Sequence, residues 1–310
     1  MKIGLNYAFG ANAHHDVGLL KALVQTMESL GFHSLWMPEH VVGFPADGYQ
    51  SKYPYSPTGA VPWQGDLSLH DPLFVAAAAA QMTTRLRFGS GIVILPQRPA
   101  LLTAKELMSL DHLTGGRFEF GVGGGWSSEE YEVLGVPFAG RGKRFDEYIE
   151  AIRTAWRDNP ASYRGETISF EDVVLMPKPL TPGGPPLLIG GSSQAALRRA
   201  ARLGDGWFGH WTDAHDPGAE IDLLHQALAD ANRTPEDGFL VKASLVHTGA
   251  PDALGAALVQ ASELGVAELV LIVPIRTRSL EDDLRLWAEA ADLAAAQATE
   301  AGTDTPLNWL

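Results

Sequence analysis

The 310-residue chain contains no cysteine. That absence excludes disulfide staples, thiolate nucleophiles, zinc ribbons and iron–sulfur ligation, and it suits a reducing compartment. Cationic side chains are scarce: 23 Lys and Arg stand against 37 Asp and Glu, a formal net charge of −14. Nucleic acid is therefore not an expected partner, because neutralising phosphates needs a basic face. Docking on anionic lipid is disfavoured for the same reason. Long hydrophobic runs are also missing, and the apolar stretch from Phe74 to Ala80 is far too short to span a bilayer. The opening Met1-Lys2-Ile3-Gly4-Leu5-Asn6 lacks a long apolar segment and a cleavage-like site, so it reads as a first strand and not as a signal peptide. What remains is a cytoplasmic globular protein, 45% hydrophobic and 19% charged. A chain of this length buries a large core without a metal or disulfide staple.

Strand and helix patterns alternate from end to end. Strand-like runs fall at Ile3–Phe9, Ser34–Met37, Leu86–Leu95, Arg117–Val122, Leu187–Ile189, Gly206–Phe208, Phe239–Val246 and Glu268–Val273. Each is followed by apolar residues at helical spacing. Leu20, Leu23, Val24, Met27 and Leu30 mark the first helix, with Gly31 as its C-terminal stop. Asp71-Pro72 opens the second as a cap residue followed by proline at the first helical position. Eight such units imply a parallel sheet with right-handed crossovers that closes into a (β/α)8 TIM barrel. Two insertions interrupt it, a long loop after strand 2 that runs to Leu69 and a pair of short strands over Tyr163–Pro177, before strand 5. An open doubly wound sheet is the alternative, but no Gly-x-Gly-x-x-Gly follows the first strand. Residues 1–300 are expected to form one domain and 301–310 a C-terminal tail.

Barrels of this kind carry their chemistry at the C-terminal ends of the strands. Glu39-His40 follows strand 2, a carboxylate and an imidazole suited to acid–base work near neutral pH, although an ordinary loop pair reads equally well. His14-His15 follows strand 1, beside an Asp16 that looks like a helix cap. Neither pair has a third partner at metal-ligand spacing, so no metal is expected. Gly91-Ile92 in strand 3 marks a bulge where a ligand or backbone approaches closely. Gly123-Gly124-Gly125-Trp126 after strand 4 offers open backbone beside a large aromatic, suited to a flat ring or to a plain tight turn. Gly190-Gly191-Ser192-Ser193 opens the helix after strand 5 and combines free amides with two hydroxyls, an anion site or a simple serine cap. The loop from Val41 to Leu69 carries Phe44, Tyr49, Tyr53, Tyr55 and Trp63, which wall a substrate pocket, form a small core of their own or meet another subunit.

A further set of short stretches occurs in a characteristic order: Leu95-Pro96-Gln97-Arg98-Pro99, then Leu110 to Arg117, then Gly121 to Trp126. Leu134-Gly135-Val136-Pro137-Phe138 follows with Arg141 and Arg144, then Pro177-Lys178-Pro179, and finally Ile189-Gly190-Gly191 running on to Ala201 through Trp207. Together they resemble the luciferase-like monooxygenase superfamily, and in particular its branch of oxidoreductases that use the deazaflavin coenzyme F420. The resemblance covers most of the chain. It implies that His40 faces the cofactor ring beside Glu39, and that Gly91-Ile92 is a non-prolyl cis peptide behind the ring. It also implies that Gly124, Gly125, Gly190, Gly191, Ser192 and Ser193 contact the cofactor's ribityl and phosphate groups. Related sugar-phosphate dehydrogenases place a catalytic glutamate where this chain has Trp126. A mechanism relying on that acid is thereby in doubt, and Trp126, with Phe44 and Trp63, suggests an apolar substrate.

The resulting expectation is hydride transfer between F420 and a small, apolar organic molecule, by a homodimer such as is usual among the relatives. Three alternatives stay open: an FMN-dependent monooxygenase, a non-catalytic flavin-binding barrel, and a cofactor-free isomerase or lyase using Glu39 and His40. Oxygen chemistry separates the first, since a deazaflavin has carbon in place of the reactive ring nitrogen.

Overall fold

The computed structural model describes residues 1–7, 17–61, 69–212, 216–247, 254–272 and 280–300. The His14-His15 pair, Trp63 and the tail 301–310 lie outside the described residues. The barrel strands are β1 (Lys2–Asn6), β2 (Ser34–Met37), β3 (Arg87–Ser90) with its short continuation β4 (Val93–Ile94), and β5 (Phe118–Gly123). A hairpin, β6 (Ala161–Arg164) with β7 (Ser169–Val173), precedes β8 (Leu187–Gly190), β9 (Gly206–Trp211), β10 (Leu240–Val246) and β11 (Glu268–Ile272). The helices are α1 (Val17–Ser29), α2 (Pro72–Ala80), α3 (Ala100–Thr114), α4 (Ser128–Val133), α5 (Arg141–Arg157), α6 (Gln194–Leu203), α7 (Pro217–Asp230), α8 (Leu254–Glu263) and α9 (Leu280–Glu300). Every barrel pairing is parallel, and the pairings of β1 with β11 and of β3 with β5 close the ring. The chain is a (β/α)8 TIM barrel with insertions after the second and before the fifth barrel strand. None of the described helices is long and apolar enough to cross a membrane.

Several details differ from the sequence reading. The third strand does not run unbroken from Leu86 to Leu95. It stops at Ser90, passes through a cis peptide between Gly91 and Ile92, and resumes at Val93 against β5. Helix α4 is also additional: it follows the glycine run after β5, and Ser127 caps it by accepting from the Glu130 amide at 3.2 Å.

The helices pack on the outer strand faces, where the main apolar core sits, while alternate residues fill the barrel in layers. The middle layer is apolar: Trp36, Leu188, Phe208 and Val270, with Trp36 stacked on Phe208 at 4.4 Å between centroids. Gly89 makes room for it, since a Cβ there would lie 2.4 Å from the Trp36 ring. The layer towards the C-terminal mouth holds Asn6, Ile92, His210 and Ser244.

The N-terminal layer is ionic. Lys242 donates to Glu119 and to Glu268, each at 2.5 Å, and Arg87 Nε donates to the other oxygen of Glu119 at 3.0 Å. Ser34 donates to Glu268, and Trp36 Nε1 donates to Ser34 Oγ at 2.7 Å. Two carboxylates face two cations, so the buried charge balances. Lys242 and Glu268 are held ionised by each other: burial opposes both charges, and the partner outweighs it, raising Lys242 and lowering Glu268.

Removing one member leaves the others uncompensated in a dry interior. Lys242→Met is expected to destabilise the fold by about 3–5 kcal/mol in denaturant unfolding. His33, beside this layer, is held by burial down to about 4 from the ordinary 6.5. The unfolded chain takes up that proton first, so its contribution to stability is full above pH 6.5 and is lost as the pH falls towards 4. Unfolding curves of His33→Gln are expected to lose that segment of the pH dependence.

Candidate active site

The glycines singled out in the sequence converge on one side chain. A Cβ at Gly123 would lie 2.7 Å from Ile92, and one at Gly190 would lie 2.8 Å from it. The Gly91 position faces Phe208 and Asn6 at 3.2 and 3.3 Å. Thus Gly91-Ile92 and the ends of β5 and β8 pack together at the barrel mouth. Gly124 and Gly125 follow β5, and the Gly124 carbonyl accepts from Tyr131 Oη at 2.7 Å. Gly191 adopts φ +109°, a conformation open to glycine, and its carbonyl accepts from Trp207 Nε1 at 3.0 Å. Ser193 caps α6 by accepting from the Ala196 amide at 3.2 Å. Ser192 differs: its Oγ is buried and has no hydrogen-bond partner, an arrangement that costs free energy unless a ligand satisfies it.

Glu39 and His40 are adjacent in sequence but turn to different partners. Glu39 is buried and accepts from the Ile94 amide at 2.8 Å and from Arg98 Nε at 3.0 Å. Arg98 also pairs with Asp71, the N-cap of α2. Burial pushes the Glu39 carboxyl up against the pull of Arg98. This carboxylate therefore ties the end of β2 to β4 directly beyond the cis peptide. His40 instead meets Glu130 of α4, with Nδ1 3.1 Å from Oε2.

Glu130 is 1% exposed and spends its other oxygen on the amides of Val41 at 2.8 Å and Val42 at 3.3 Å. The neighbouring Glu129 accepts from the amides of Gln50 at 2.6 Å and Ser51 at 2.8 Å. Burial works against the Glu129 charge, and its own amide, the Ser51 amide and the Ser51 and Ser127 hydroxyls outweigh it, holding the carboxyl down to about 2. Sequence reasoning passed over Glu130. Its signal was the Ser127-Ser128-Glu129-Glu130 run, a cap serine with a glutamate three residues on.

The loop so anchored builds an aromatic wall. Trp126 lies edge-on to His40 at 6.0 Å between centroids, 5.3 Å from Tyr49 and 5.4 Å from Tyr53. Phe44 packs on Tyr49 at 5.4 Å, one step further from the histidine. Tyr55 reaches His210, on β9, at 4.6 Å. His210 Nδ1 is 2.8 Å from Ser244 Oγ, which itself donates to the Gly209 carbonyl at 3.2 Å. His210 is a second imidazole at the mouth that the sequence reading missed, since its short strand was ended at Phe208. Burial pushes the Tyr53 and Tyr55 hydroxyls up to about 12, so both remain neutral donors at physiological pH. Among the described residues no group of three or more His, Asp or Glu side chains is arranged to hold a metal ion.

A closed (β/α)8 barrel with a glycine-lined mouth and a histidine at the end of its second strand defines the class. The family model for luciferase-like monooxygenases matches residues 1–304, and the chain belongs to that family. The uncharacterized protein Rv0940c of Mycobacterium tuberculosis is 35% identical over 237 residues, 76% of this chain and 78% of that protein. The FMNH(2)-dependent dimethylsulfone monooxygenase of Pseudomonas putida is 29% identical over 202 residues, 60% of this chain and 55% of that enzyme. The coenzyme F420-dependent tetrahydromethanopterin reductase of Methanopyrus kandleri shares the fold, with a TM-score of 0.70 at 15% identity, covering 93% of this chain and 97% of the reductase.

Proposed function

We propose that this protein is an oxidoreductase that holds coenzyme F420 across the barrel mouth and passes a hydride between it and a small apolar organic substrate. The observation that carries the reading is the surface around Ile92. Gly123 and Gly190 leave room there for the Ile92 side chain, Gly91, Gly124 and Gly191 are half-buried around it, and it ends at a buried, unpartnered Ser192 hydroxyl at the start of α6. A flat ring fits such a shelf, and an anionic group fits the Ser192-Ser193 helix start. When bound, the deazaflavin supplies the hydride chemistry.

The chain's own residues do the rest. Gly91, Ile92, Gly124 and Gly125 would help hold the ring at the barrel mouth. His40 holds or delivers the proton that accompanies hydride exchange. Glu39, engaged with Arg98 and the Ile94 amide, keeps the shelf in place and supports the site without itself moving a proton. Trp126, Tyr49 and Tyr53 exclude water from the reacting region and present an apolar wall, with Phe44 behind them. His210 faces the same mouth from β9 and supplies the polar contact that orients a substrate oxygen or nitrogen.

The FMN-dependent relative at 29% identity favours a second reading, a monooxygenase acting with reduced FMN and oxygen. Titration of the purified protein with FMN and with F420, followed by ring fluorescence, separates the two. F420 is expected to bind at least about tenfold more tightly, a difference of ~1.4 kcal/mol. Tighter FMN binding with oxygen uptake from reduced FMN selects the monooxygenase, and binding of neither cofactor overturns both. His40→Ala is expected to lower kcat by about 10²–10⁴-fold with cofactor affinity unchanged. Full turnover in that variant removes His40 from the chemistry.

A further inference from the structure

We infer that Glu130 is a positioning residue that holds His40 in the Nδ1–H tautomer, so that Nε2 is the nitrogen that exchanges the proton; the catalytic part of this inference rests on the role proposed for His40.

The argument starts from donor counting. A carboxylate ion only accepts hydrogen bonds. Glu130 Oε1 takes the Val41 and Val42 amides at 2.8 and 3.3 Å, and Oε2 faces His40 Nδ1 at 3.1 Å. Two amide donors and the His40 ring nitrogen, all from one turn of chain, surround a carboxyl group that is 1% exposed. A protonated carboxyl would have to turn its hydrogen onto an amide or onto the ring. The two amide contacts to one oxygen favour the ion. The ring nitrogen opposite an ion must carry the hydrogen, and a neutral imidazole has one such hydrogen. Nε2 is therefore bare of its proton in the neutral ring.

The support behind Glu130 is rigid. Its own amide is held by the Ser127 hydroxyl at 3.2 Å, and Tyr131, next in the helix, reaches back to the Gly124 carbonyl at 2.7 Å. Helix α4 thus connects the glycine turn after β5 to the histidine after β2. A carboxylate that fixes the tautomer and the ring angle of a histidine is a recurring device in proton transfer. Glu39, the acid next to His40 in the chain, is committed to Arg98 and cannot serve in this way.

The test uses the protein with ring-¹⁵N-labelled histidine, at a pH where the ring-nitrogen shifts themselves show His40 to be neutral. His40 is assigned by the signals missing from His40→Asn. The expected spectrum shows a protonated Nδ1 and an unprotonated Nε2. In Glu130→Gln the amide oxygen still serves Val41 and Val42, while the amide NH₂ turns to Nδ1, which must now accept. The tautomer ratio is expected to shift at least about tenfold towards Nε2–H, and kcat to fall about 10²-fold or more with cofactor affinity held within threefold. An Nε2–H tautomer in the unaltered protein overturns the inference whether or not the variant folds, as does an unchanged tautomer in Glu130→Gln. A switched tautomer with full kcat, alongside an inactive His40→Ala, overturns the positioning role. Should His40→Ala prove fully active, the proposed role of His40 fails while the tautomer result stands on its own.

Discussion

Charge neutrality in the barrel floor is the constraint on which the other layers stand. Lys242 on β10 reaches Glu268 on the neighbouring β11 and also Glu119 on β5, across the barrel. Arg87 on β3 and Ser34 on β2 join from the remaining sides. Five strands are thereby held in one register by contacts that leave no acceptable substitute partner within a dry interior. Trp36 rests on this layer through its bond to Ser34, and Phe208 stacks on Trp36. Phe208 in turn faces Gly91. The shelf at the mouth is therefore the top of a stack whose lowest member is an ion cluster, which fits the general division of these barrels into a stabilising end and a reactive end.

At the reactive end, rigidity comes from carboxylates and openness from glycines. Glu39 binds the segment after the cis peptide, and Glu130 binds the histidine. Both are buried, and both oxygens of each are engaged. The glycines contribute by what they lack, since Gly123 and Gly190 leave the space that the Ile92 side chain fills. In this arrangement the acidic residues act as fasteners.

The fold was legible because its period is regular: eight apolar strand runs, each followed by a helical stripe, leave little choice of architecture. The glycine turns were legible for a related reason, since Gly190-Gly191-Ser192-Ser193 stands where a strand gives way to a helix. What could not be read was pairing at a distance. Glu39 beside His40 in the chain suggested one functional couple, yet the buried position of Glu39 demands a cation, and Arg98 supplies it from 59 residues on. Glu130 lies 90 residues from His40 and sits on a six-residue helix too short to show periodicity. His210 was lost for another reason, because Gly209 weakens the strand pattern just before it.

Helix α4 grips its loop at two places, residues 40–42 through Glu130 and residues 50–51 through Glu129. Between those grips lies the stretch 43–49, with Phe44 and Tyr49 at its ends of contact. Such a tethered insert is a replaceable cassette: its length and aromatic content can diverge between descendants of one ancestral barrel while the imidazole next to it keeps its orientation. The make-up of the aromatic wall and the orientation of the imidazole then become separate evolutionary variables, written in neighbouring residues of the same loop.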